Sequence, residues 1–89
     1  METVNLLIKG KVQGVFYRAS ARDKAMELGI TGWVKNTPDG NVEIVASGDK
    51  ESLEKFIEWC HKGPSRALVS GLTMKETDTN NFSDFQILK

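Results

Sequence analysis

One cysteine and one histidine occur among the 89 residues. A lone thiol excludes an internal disulfide, and the two residues together are too few for a Cys/His zinc cage. An excess of either charge is also missing, because 12 Lys and Arg balance 12 Asp and Glu. Neutrality removes the electrostatic footprint of a nucleic-acid binder and gives no attraction to an acidic membrane surface. No apolar run approaches the roughly 20 residues of a membrane span. Met1-Glu2-Thr3-Val4-Asn5 carries no basic flank ahead of an apolar core. No secretion signal is visible, a cytoplasmic location is expected, and the sequon Asn81-Phe82-Ser83 reads as a chance match. No carboxylate cluster suits a catalytic divalent ion, so neither metal nor cofactor is expected.

The composition is that of a globular protein, 39% hydrophobic and 27% charged, in a length that holds one core. One domain over 1–89 is expected. Two periods alternate along it. Val4, Leu6 and Ile8 alternate with Asn5 and Leu7 as a buried strand, and Gly10 to Gly14 breaks the pattern. Tyr17, Ala21, Ala25 and Leu28 then share one helical face, with Gly29 as the stop. Strands over about 32–36 and 42–46 flank the turn Thr37-Pro38-Asp39-Gly40, which makes them a hairpin. Asp49 is placed to cap a second helix, Leu53, Phe56, Ile57 and Cys60 form its apolar stripe, and Gly63-Pro64 ends it. Strands over 67–75, less regular around Ser70-Gly71, and 84–88 follow. The order β-α-β-β-α-β-β predicts an α+β, ferredoxin-like sandwich. Both helices lie on one face of a mostly antiparallel sheet, with an extra C-terminal strand.

A crossover helix makes the first two strands parallel, so Gly10 and Asn36 share one edge of the sheet. With the third strand between them, their backbones lie on the order of 10 Å apart. The segment Gly10 to Arg18 leads into a helix N-terminus. Its glycines permit an inward-facing nest of N–H groups, and the helix dipole adds positive potential there. Arg18, in the first turn, leans back over that cradle and is suited to hold a phosphate bidentately. The plainer reading is a glycine-containing loop with a solvated arginine. No Gly-Lys-Ser/Thr ends the segment, and its glycine spacing differs from a dinucleotide fingerprint.

Gly10-Lys11-Val12-Gln13-Gly14-Val15-Phe16-Tyr17-Arg18 resembles the G-x-V-Q-G-V-x-[FM]-R signature of acylphosphatases. Gly32-Trp33-Val34-Lys35-Asn36-Thr37-Pro38-Asp39-Gly40-Asn41-Val42, with Gly48 beyond it, resembles the second signature of that family. Tyr17 stands where Phe or Met is usual. Phe16 is bulky where some members carry a small residue, which bears on access to the loop. The resemblance implies a ferredoxin-like sandwich and metal-independent hydrolysis of small acyl phosphates. It implies that Gln13, Gly14, Val15, Phe16, Tyr17 and Arg18 form the phosphate loop. Arg18 would bind the phosphoryl oxygens, and Asn36 would orient the attacking water.

That chemistry suits the residues present. A carboxylate leaves without a strong general acid, so positioning and charge stabilisation carry the reaction. His61 reads as a cation near a helix C-terminus, and Cys60 as a small buried hydrophobe. Trp33 and Trp59 read as packing groups, since the aromatic pattern of an RNA-recognition motif is missing. Glu51, Glu54, Lys55 and Glu58 form a solvated helix face. The alternative is a non-catalytic ferredoxin-like module that binds a small anion or a protein partner. A monomer is expected, because no further apolar stripe is visible.

Overall fold

The computed structural model describes residues 1–78 and 82–88. Its elements are β1 (Glu2–Lys11), α1 (Tyr17–Leu28), β2 (Thr31–Asn36), β3 (Val42–Gly48), α2 (Lys50–Lys62), β4 (Leu68–Glu76) and β5 (Phe85–Ile87). Asn81 of the sequon lies outside the described residues.

The strands form one sheet in the order β4-β1-β3-β2-β5. β1 and β2 both run antiparallel to β3 and hence parallel to each other, while β5 pairs parallel with β2. Alternation decides the faces. Val4, Leu6 and Ile8 of β1, Val34 of β2 and Val42, Ile44 and Ala46 of β3 are buried together. Against them pack Tyr17, Ala21 and Ala25 of α1 and Leu53, Phe56 and Cys60 of α2. Fully burying each large apolar side chain contributes about 1.5–3 kcal/mol. This is the ferredoxin-like α+β arrangement of two helices on a mixed five-stranded sheet.

β1 continues to Lys11, past the break expected at Gly10. The register against β4 shifts between Lys9 and Gly10, which pair with Gly71 and Val69 and leave Ser70 as the bulged residue. Gly10 has φ 128, and a Cβ there would stand 2.1 Å from the Leu68 carbonyl oxygen. Its lack of a side chain therefore serves close strand approach, not the anion nest expected from its place in the loop.

Asp49 occupies the N-cap of α2 with extended backbone, but its side chain makes no capping hydrogen bond. Its carbonyl accepts the Leu53 N–H at 2.8 Å, and its charge remains near the positive helix end. At the other end, Pro64 has no N–H to give the Cys60 carbonyl four residues earlier. The Tyr17 hydroxyl donates to that carbonyl at 2.7 Å. α1 is thus tied to the end of α2 by a bond that the proline makes necessary.

Candidate active site

Asn36 lies on the last rung of β2, paired with Val42, which in turn pairs with Ile8. Two residues beyond Val34, it falls on the helix-covered face of the sheet. There the end of β2, the β1–α1 loop and the start of α1 enclose a cleft of about 310 Å³. Gly14, Phe16, Arg18 and Ala19 line it from the loop and helix, Asn36 from β2 and Ile87 from β5.

The loop backbone alternates in handedness. Gly14 has φ 73 and Phe16 has φ 64, and neither Val15 nor Tyr17 has a positive φ. Alternating conformations of this kind turn successive N–H groups toward one point. The Phe16 carbonyl accepts the Ser20 N–H at 3.0 Å, which begins the helical ladder. The N–H groups from Gly14 to Ala19 have no backbone acceptor among the described residues. No acidic residue occupies the first turn of α1, so its positive end is not neutralised locally.

Arg18 is half-buried at this cleft and makes no ion pair among the described residues. Asn36 Oδ1 is buried and has no hydrogen-bond partner among them. An orphaned acceptor of this kind costs about 1–3 kcal/mol. Phe16 adds a second local cost. It is the one non-glycine with positive φ among the described residues, a conformation worth about 1–3 kcal/mol of strain. The cleft therefore combines unused donors and a cation, a set matched to an anion, and is lined by Asn36, whose buried oxygen has no partner among the described residues.

Of the six loop residues singled out from the sequence, Gly14, Phe16, Tyr17 and Arg18 line the cleft. Val15 turns its side chain into the core. Gln13 faces the hairpin turn, where its Nε2 donates to the carbonyls of Thr37 at 2.9 Å and Asn41 at 2.8 Å. The turn holds itself through the Asn41 N–H on Thr37 Oγ1 at 3.0 Å. The Thr37 hydroxyl also donates to Asp39, and this holds the carboxyl below the usual range. Cys60 is fully buried, and burial pushes its thiol up to about 12. His61 is exposed in the last turn of α2. Besides Ala19, Ile87 and Val12 line the cleft without having been named as site residues. The strand pattern marks both as apolar and says nothing of their nearness to Arg18. Among the described residues no group of three or more His, Cys, Asp or Glu could hold a metal ion. No helix among them is long and apolar enough to cross a membrane.

The acylphosphatase family model matches residues 4–87. An acylphosphatase of Methylococcus capsulatus is 52% identical over 90 residues, covering 100% of this chain and 98% of that protein. The structure of an acylphosphatase from Coxiella burnetii superposes with a TM-score of 0.95 at 44% identity, covering 98% of this chain and 92% of that one. An acylphosphatase from Bacillus subtilis superposes with a TM-score of 0.97 at 31% identity over the full length of both chains. The chain belongs to the acylphosphatase family.

Proposed function

We propose that the protein hydrolyses acyl phosphates to a carboxylate and inorganic phosphate, with Arg18 and the Gly14–Ala19 backbone holding the phosphoryl group and Asn36 holding the water. The observation that supports this reading is the cleft itself, which is lined by Arg18, by loop residues with unused N–H groups and by Asn36. Membership of the family supports the same substrate class.

The Arg18 guanidinium and the inward N–H groups neutralise the phosphoryl oxygens and fix the phosphorus. Asn36 Oδ1 accepts a hydrogen bond from a water and turns its lone pair toward that phosphorus. The water oxygen forms the new P–O bond as the bond to the acyl oxygen breaks. The bonding pair leaves with the carboxylate. The water's proton passes to a phosphoryl oxygen of the substrate, so no protein base is required. A carboxylate of pKa about 4 departs without a proton donor.

The test is phosphate release from acetyl phosphate by purified protein in the presence of a chelator. Release far above spontaneous hydrolysis is expected. Release that needs added magnesium or zinc would overturn the proposal. Phosphate binding without turnover would favour the non-catalytic module.

A further inference from the structure

The exposed large hydrophobic residues are Met1, Phe16, Met26, Leu68 and Met74. Of these, Phe16 alone lines the cleft. It is 74% exposed, so the core does not require its ring. Its backbone conformation suits glycine or asparagine far better than a phenylalanine. The ring is therefore held at the cleft against both its burial preference and its backbone preference. Such an outlier points to a role in the site.

The role follows from what else the cleft offers. Arg18 is the only charged residue lining it among the described residues. The reading above commits Arg18 to the phosphoryl group. No further side-chain charge remains to recognise an ionised acyl chain. The large apolar surfaces left for the acyl group are the exposed Phe16 and the half-buried Ile87, since Val12 is buried in the core. A flat apolar acyl group stacks on an exposed ring and sheds water from both surfaces. An acetyl group is too small to cover the ring.

We propose that Phe16, with Ile87, forms an acyl-recognition wall that favours aromatic acyl phosphates over short aliphatic ones. This rests on the acyl-phosphate reading and extends it to the leaving group. Because Phe16 also contributes backbone to the phosphate loop, absolute rates in its variants mix two effects. The ratio of kcat/KM for benzoyl phosphate to that for acetyl phosphate, measured on one variant, cancels the shared phosphoryl contribution.

In the native protein the ratio should exceed its value in Phe16→Asn by about three- to tenfold, the range of one aromatic contact. Asparagine tolerates the left-handed backbone, so the loop keeps its shape. Phe16→Gly provides the same test should the asparagine variant fold poorly. Phe16→Tyr, which keeps the ring, should retain the native ratio within about twofold. Both substrates hydrolysed with an unchanged ratio in Phe16→Asn and Phe16→Gly would overturn the wall while leaving the hydrolase reading intact. Hydrolysis of neither substrate by the native protein would overturn both.

Discussion

The side-chain amide of Gln13 donates to the carbonyl of Thr37 at 2.9 Å, joining the β1–α1 loop to the turn that follows Asn36. Its second hydrogen reaches the Asn41 carbonyl at 2.8 Å, so one side chain staples both ends of that turn. The Gly14–Ala19 loop and Asn36 sit on separate elements, and Gln13 ties the loop to the turn that follows Asn36.

Gln13→Ala removes two hydrogen bonds across the loop, while each carbonyl keeps its backbone donor, Gly40 N–H on Thr37 and Thr37 N–H on Asn41. A stability loss of about 1–3 kcal/mol is expected in urea unfolding. A fall in kcat should accompany it, since small misplacements of reacting groups are expensive. Gln13→Glu should be worse, because a carboxylate would face two carbonyl oxygens. Unchanged turnover in both variants would show that the staple has no part in catalysis.

Asn36→Ala separates function from stability in the opposite way. The side-chain oxygen has no partner to lose among the described residues, so the folded state should be as stable as the native one or more so. Turnover should fall on the order of 10²-fold through kcat, with a smaller change in KM. A rise in KM at native kcat would make Asn36 a substrate-binding residue instead.

The cradle can be tested without a substrate. Phosphate at tenfold its Kd should stabilise the native state by about 1.4 kcal/mol, a rise of several degrees in Tm. A chloride series at matched ionic strength removes general salt effects. The phosphate-specific rise should vanish in Arg18→Ala and shrink in Arg18→Lys, which keeps the charge but loses the planar fork. An undiminished rise in Arg18→Ala would place the anion elsewhere.

The buried Tyr17 and Cys60 predict an alkaline limb of instability. Burial raises the Cys60 thiol from 9.0 to about 12 and raises the Tyr17 hydroxyl from 10.0. The native state keeps these protons where the unfolded chain gives them up. Their contribution is therefore complete below about pH 9 and is lost as pH rises toward 12. Stability should fall by about 1.4 kcal/mol per pH unit from Cys60, and more steeply above pH 10 as Tyr17 joins. Tyr17→Phe should flatten the limb above pH 10. It should also lower stability at neutral pH by about 1–3 kcal/mol, because the Cys60 carbonyl loses its donor. Urea midpoints that stay level from pH 8 to pH 11 would contradict the argument.

Sequence periodicity carries the fold and much of the cleft. Alternation in Val4, Leu6 and Ile8 assigns the buried face of β1. The same alternation through Val34 puts Asn36 on the face that α1 covers. Gln13 and Val15 are harder, because loop position does not say where a side chain turns. Phe16 is harder still: left-handed backbone is read from glycine, and here a phenylalanine adopts it. Gly10 shows the reverse, a glycine in a loop-like motif whose real constraint is the Leu68 carbonyl 58 residues away in sequence. The Tyr17–Cys60 bond has a local trace, because Pro64 strips the carbonyl of its helical partner. Only tertiary contact identifies the replacement donor.

The place of β1 has a consequence for how the protein is made. It is the first strand in the chain, yet it sits between β3 and β4. As the chain emerges at about 5–20 residues per second, β1 can pair with β3 once Gly48 is available and then waits some seconds for β4. During that interval its other edge offers unpaired N–H and C=O groups beside apolar side chains, a template for the wrong strand. Closing a pairing so distant in sequence is also slow, because loop entropy is lost before contacts compensate it. A nascent chain stalled before Leu68 would carry the loop, Asn36 and both helices but leave β1 as an unpaired edge strand of its sheet.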